Sequence, residues 1–218
     1  MRIVYDGKCS GKHNMKKDEI LLKEAVIYGK FPILRFYEWS ELTLSIGFNQ
    51  KYEDFNVCIP VVKRPTGGRA LLHGWDISFS LVDSKGRWGK GPSEIYRRFA
   101  GILREIFLTL GIETEIVRSG RRGFKKYCML APSYGEIVFN GRKIIAYATK
   151  FEQDCLLLQG SVYLQFDIKR ASEILRLDNN LLYESIIPLS EMDVGKEEFI
   201  SAFENVINRL YCSSSLIT

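Results

Sequence analysis

The chain has 218 residues, with 31 Lys plus Arg against 26 Asp plus Glu (net +5), 46% hydrophobic and 12% aromatic residues. That composition excludes intrinsic disorder and supplies a globular core, while the longest charge-free run, Cys155 to Phe166, is too short and polar to span a membrane. Five scattered cysteines without a CxxC pair and only two histidines, His13 and His73, argue against a disulfide framework or zinc cluster; with no long apolar N-terminal region, a soluble cytoplasmic protein is expected.

In chain order, Arg2–Asp6 reads as a short strand. Asn14 is positioned to cap a helix from Met15 to Tyr28, ended by Gly29, with Ile20, Leu21, Ala25 and Tyr28 on its apolar face. Ile33–Trp39 alternates with period two and predicts a strand; Leu42–Gly47 and Asn56–Lys63 predict two more. After a loop with Pro65, Gly67 and Gly68, residues Ile77–Val82 alternate again. The clearest helix runs from Ser93 to Leu110, with Ile95, Phe99, Ile102, Leu103, Ile106 and Leu110 on one face and Gly111 closing it. Ile112–Val117 is a predicted strand and Arg118–Ala131 an irregular loop. Three strands follow, Glu136–Phe139, Lys143–Phe151 and Cys155–Gln165, the first two joined by an Asn140-Gly141 turn signal. Helices are predicted over Asp167–Leu175 and Lys196–Leu210. With no internal linker or repeat, the pattern predicts one α+β domain, residues 1–166 with mixed and antiparallel sheets and residues 167–218 a small helical subregion of it.

Charge is concentrated. Arg118, Arg121, Arg122, Lys125 and Lys126 fall within nine residues that contain no acid, and the rest of the chain sums to zero. Of the cysteines, Cys58 and Cys155 sit in apolar segments and read as inert core residues. Cys128 directly follows the basic run, where cations favour a thiolate, and Lys143 stands 15 residues on across the hairpin turn. Nucleophile and spectator both remain open for it. His73 has no evident carboxylate partner, and Phe36, Tyr37 and Trp39 read as core and pocket wall. The segment Lys63-Arg64-Pro65-Thr66-Gly67-Gly68-Arg69-Ala70 fits either a tight turn or a glycine loop that approaches a ligand, with arginines able to pair with a phosphate or carboxylate.

Arg64-Pro65-Thr66-Gly67-Gly68-Arg69-Ala70-Leu71-Leu72-His73 closely resembles the substrate loop of the biotin/lipoate A/B protein ligase superfamily. Cys128-Met129-Leu130-Ala131-Pro132-Ser133-Tyr134-Gly135-Glu136, running on to Gly141-Arg142-Lys143, resembles the cysteine-dependent octanoyltransferases within it. The resemblance covers about residues 1–165. It implies an α+β ligase-like fold and transfer of an octanoyl group from octanoyl acyl carrier protein to a lysine of an apo lipoyl domain or glycine-cleavage H protein. It assigns Cys128 as nucleophile, Lys143 as the group that lowers its pKa, and Arg64, Thr66, Gly67, Gly68, Arg69, Ala70 and His73 as the substrate site, with no ATP, metal or other cofactor needed. Ala146-Tyr147-Ala148 stands where the family usually has Gly-Ser-Ala, and Leu158-Gln159-Gly160-Ser161 where it usually has Gln-His-Gly-Ser, so a reshaped acyl pocket is expected there. Because carrier proteins are acidic, Arg121, Arg122, Lys125 and Lys126 are expected to steer the partner, with no nucleic acid or membrane involved. The alternatives are an ATP-dependent lipoate ligase, an octanoyl amidotransferase and a non-catalytic relative.

Overall fold

The computed structural model describes residues 1–118 and 126–213. The elements run β1 (Arg2–Cys9), α1 (Gly11–Tyr28), β2 (Ile33–Trp39), β3 (Thr43–Ile46), β4 (Val61–Lys63), β5 (Leu71–His73), β6 (Asp76–Ser84), α2 (Lys85–Trp88), α3 (Pro92–Thr109), β7 (Glu115–Ile116), β8 (Ile137–Phe139), β9 (Arg142–Lys143), β10 (Ile145–Glu152), β11 (Cys155–Tyr163), α4 (Ile168–Leu175), α5 (Asn179–Ser185) and α6 (Lys196–Ser213). A five-stranded sheet has the order β1-β2-β6-β11-β10, parallel only between β1 and β2. Two three-stranded sheets, β4-β3-β5 and β7-β8-β9, complete the α+β architecture.

The period-two pattern of β2 divides the large sheet into two chemically different faces. Leu34 and Phe36 point into the main core with Phe79 and Leu81 of β6, Leu156 and Leu158 of β11, and the helices α3 and α6. On α3, Ile95, Phe99, Ile102, Leu103 and Ile106 form the buried stripe that the sequence marks, and Phe199 and Phe203 of α6 pack beside it. The opposite face holds Ile33, Val82 and Leu157 under Leu21, Leu22 and Ala25 of α1. It also carries buried polar residues: Arg35 and Tyr37 of β2, Ser80 of β6 and Gln159 of β11 all bond to the buried carboxylate of Asp18 on α1.

Several local expectations need correction. The N-cap of α1 is Ser10, whose hydroxyl accepts from the His13 N–H, so the helix starts earlier than predicted. Asn14 is instead buried within it, donating to the Cys9 and Glu38 carbonyls and accepting from Arg35. Ile20 and Tyr28 are exposed; the buried face of α1 is Met15, Asp18, Leu21, Leu22 and Ala25. Residues Asn56–Pro60 form no strand because β3 pairs with only Val61–Lys63, and Cys58 is exposed rather than core. The strand predicted over Lys143–Phe151 is split: Lys143 belongs to β9, paired with β8, whereas β10 starts at Ile145 and pairs with β11. The short elements β5, α2 and α5 had no sequence signal long enough to mark them.

Candidate active site

Where the polar face of the large sheet meets the β4-β3-β5 sheet, a pocket opens. Tyr37 and Trp39 come from β2, Met15 from α1, Ser45 from β3, Ala146 and Ala148 from β10, and Gln159 and Ser161 from β11; Arg64, Gly68 and Cys128 close the other side.

Cys128 opens a one-turn 3-10 segment, Cys128–Leu130. Its N–H donates to the Ala70 carbonyl at 2.8 Å, and the Ala70 N–H donates to the Lys126 carbonyl at 3.1 Å, so the glycine loop and the cysteine segment are laced together. Asn140 and Gly141 both adopt positive φ, 50° and 75°, the backbone of a type I′ hairpin turn. That turn returns Lys143 to Cys128: its Nζ lies 3.3 Å from the Cys128 Sγ, 2.9 Å from the Cys128 carbonyl and 2.7 Å from a Glu136 carboxylate oxygen. Both Lys143 and Glu136 are buried, and Glu136 also accepts the Ser133 N–H at 2.6 Å. Burial opposes the lysine's charge, but the Cys128 sulfur and the Glu136 carboxylate outweigh it and hold the Lys143 ammonium above its ordinary value.

Arg64 departs from the expected role of an arginine that pairs with a ligand anion. Its five N–H groups go to the Gly67, Arg69 and Ser45 carbonyls and the Ser45 hydroxyl, at 2.6 to 3.2 Å. It therefore clamps the loop from inside and places a buried cation, lacking a carboxylate partner among the described residues, on the pocket wall. Burial lowers its pKa from the usual guanidinium value, with the Cys128 sulfur opposing that shift. Gly68 has φ +86°, which favours glycine, and a Cβ there would stand 3.0 Å from the Arg64 guanidinium and 3.6 Å from the Ala148 Cβ. Thr66 is fully buried and donates to the Gln159 side-chain oxygen at 2.7 Å, while the Gln159 amide donates to Asp18 at 2.7 Å, which ties the loop to α1. Gly67 and Arg69 are partly exposed and Ala70 is buried.

His73, read from the sequence as lacking a carboxylate partner, has one. Its Nδ1 is 2.8 Å from Asp76, its Nε2 is 2.8 Å from the Ser45 hydroxyl, and its ring stacks on Trp39 at 3.9 Å. Asp76 also accepts from the Gly74 N–H and the Ser78 and Ser161 hydroxyls. Burial acts to raise the Asp76 pKa, but His73 and these hydrogen bonds outweigh it and hold the carboxyl below its usual range. Sequence reasoning missed Ser45, Asp18 and the Asp76 hub, because each is defined by partners from other strands. Tyr147 stacks on Tyr96 at 5.1 Å and donates to the Gly135 carbonyl, so its ring packs against α3 in the main core, while its strand neighbours Ala146 and Ala148 line the pocket. Lys126 lies above the Phe55 ring at 5.0 Å; Arg121, Arg122 and Lys125 lie outside the described residues. Among the described residues no group of three or more His, Cys, Asp and Glu is arranged to hold a metal ion, and no helix is long and apolar enough to cross a membrane.

The chain is similar to the octanoyltransferase LipM of Carboxydothermus hydrogenoformans, 36% identical over 80% of this chain and 69% of that protein. It is 31% identical to octanoyltransferase LipM of Bacillus cereus over 92% of this chain and 82% of that protein. A lipoate-protein ligase A crystallised with ATP superposes with a TM-score of 0.80 at 21% identity, over 96% of this chain and 85% of that one, a likeness of fold. The model of the lipoyl protein ligase A/B catalytic domain matches residues 10–189, and the chain belongs to that family.

Proposed function

We propose that this protein is an octanoyltransferase that works through a thioester on Cys128, taking the octanoyl group from octanoyl acyl carrier protein and passing it to a lysine of an apo lipoyl domain. The observation that carries the reading is the Lys143 ammonium 3.3 Å from the Cys128 sulfur on the wall of the pocket. An ammonium at that distance favours the thiolate, the nucleophilic form. The Arg64 cation, which has no carboxylate partner among the described residues, adds to the same positive field, and the likeness to LipM proteins at over 30% identity supports the octanoyl group as the cargo.

In the first half-reaction the thiolate attacks the donor's thioester carbonyl. The tetrahedral intermediate collapses with cleavage of the donor's C–S bond, releasing the donor thiolate and leaving octanoyl-Cys128. The Gly68 N–H, which has no acceptor among the described residues, is suited to hydrogen-bond the developing oxyanion at the pocket wall. In the second, a neutral lysine amine attacks the enzyme thioester, the amine's proton passes to water, and the tetrahedral intermediate collapses to the amide with cleavage of the C–S bond, Cys128 leaving as thiolate beside Lys143. Both acyl donors are already activated thioesters, so the sequence closes without ATP.

The test is intact-mass analysis after mixing the protein with octanoyl carrier protein in the absence of ATP. An octanoyl adduct that hydroxylamine removes is expected on the wild type and none on Cys128→Ser. Acylation that requires ATP would assign a ligase instead, and no adduct under either condition would make the chain a non-catalytic relative.

A further inference from the structure

Met15 lines the acyl pocket and also a second, open depression. The depression lies between the first turns of α1 and β4, an edge strand, with Tyr52 at one end. Lys12, His13, Lys16, Lys17 and Lys63 line it, against one acid, Glu19, whose contact with Lys16 is a 3.9 Å pair of exposed side chains. The wall between groove and pocket is thin: Val62, a groove residue, packs with Met15 and Trp39, and Arg64, next in sequence to Lys63, faces the pocket.

Helix stability does not account for these cations. The first turn of α1 has no acidic residue, although the N-terminal end of a helix favours anions, and α6 places Glu197 and Glu198 there. Lys12 and Lys16 stand four residues apart on α1, a spacing at which like charges repel. The positive face also continues past the groove. Lys63 lies 5.4 Å over the Tyr52 ring, Lys126 lies 5.0 Å over the Phe55 ring, and Gln50 donates to the Lys126 carbonyl. One turn, residues 50–55, therefore joins the groove to the end of the basic run two residues before Cys128.

We propose that this groove docks the acyl donor, an acidic protein that presents the acyl group as a thioester on a phosphate-linked arm; the proposal rests on the acyl-transfer reading above. Charge complementarity selects an acidic partner. The donor fits better than the acceptor, because the donor's arm carries an anion whereas the acceptor's reactive group rests as an ammonium that the same lysines repel. A protein seated in the groove stands one side chain, Met15, from the acyl pocket.

The experiment compares wild type with Lys12→Glu/Lys16→Glu/Lys63→Glu, following acylation of Cys128 by two donors, octanoyl carrier protein and octanoyl pantetheine. The half-saturating concentration of the carrier donor is expected to rise about tenfold or more at low salt, the scale of lost electrostatic steering, and the difference to shrink as salt screens it. Octanoyl pantetheine should acylate both proteins at the same rate, which also shows that the variant is folded. An unchanged response to the carrier overturns the proposal, as does an equal loss with both donors. A defect confined to the transfer step, with the lipoyl domain as acceptor, assigns the groove to the acceptor and equally overturns it. A wild type that neither thioester acylates defeats the acyl-transfer reading itself, and this proposal with it.

Discussion

Lys143 meets three acceptors at once, the Cys128 sulfur, the Cys128 carbonyl and Glu136, and an ammonium has three N–H donors. Its orientation is thereby fixed, and its charge serves two partners with different consequences. Toward Glu136 it balances a buried carboxylate, so Lys143→Gln is expected to cost about 3–5 kcal/mol, the usual result of breaking a buried pair. Toward Cys128 it favours the thiolate, so alkylation of that residue at pH 7 should slow about tenfold or more on losing the adjacent cation. The double variant Lys143→Gln/Glu136→Gln separates the two roles. It should regain most of the stability lost to the buried charge, measured by urea unfolding, while Cys128 remains slow toward iodoacetamide in a peptide-resolved assay. Wild-type alkylation in the double variant would refute the activating role. Peptide resolution matters because Cys58 and Cys212 are exposed and react independently.

At the level of elements, the pocket depends on two strands that pass each other closely. A Cβ on Gly160 of β11 would lie 2.2 Å from the Phe79 ring of β6, so Gly160→Ala must displace a fully buried aromatic side chain. Overpacking of this kind costs about 1–3 kcal/mol. Gly67 has open space at its Cβ position, and Gly67→Ala should stay within about 0.5 kcal/mol of wild type; urea unfolding of the two variants checks both. The sequence exposed those features of the elements whose cause is local. The alternation of β2, the apolar stripe of α3 and the Asn140-Gly141 turn are short-range patterns, and all three appear with little change. The 15-residue interval between Cys128 and Lys143 was readable for the same reason, since a hairpin folds one residue back on the other. What could not be read depends on distant partners. Asn14 has the side chain of a helix cap, but Ser10 supplies the cap and Arg35, 21 residues away, takes the Asn14 side chain. Val57 and Ile59 look like strand residues, yet β3 offers pairing only from Val61 onward. Arg64 resembles a ligand-binding arginine, and only the folded loop shows all its donors engaged by the protein's own oxygens.

Across the whole molecule, the large sheet is covered by helices on both faces, and its two faces differ in what holds them. The α3/α6 side is aromatic, with Phe203 packed against Phe36, Phe79 and Phe99. The pocket side is held by buried charges and hydroxyls, and Asp76 is the hub between the two sheets: its contacts reach His73 of β5, Ser78 of β6 and Ser161 of β11. This gives stability a specific dependence on acid. The Asp76 carboxyl is held below its ordinary value of 3.8 in the folded protein, so near that pH the unfolded chain binds more protons and unfolding is favoured as pH falls. The contribution of Asp76 is therefore complete at pH values well above 3.8 and is lost as pH drops through the folded-state value. Asp76→Asn removes the charge at every pH and should destabilise the neutral protein by about 2 kcal/mol or more, given several hydrogen bonds to a buried ionised group. Other carboxylates titrate in the same range, so the informative quantity is the difference between wild type and variant rather than either curve alone. Urea unfolding at a series of pH values should show that difference narrowing as pH falls below 3.8. A difference that stayed constant to the lowest pH at which both proteins fold would mean that Asp76 acts through its shape and hydrogen bonds alone, with its charge contributing nothing to joining the sheets.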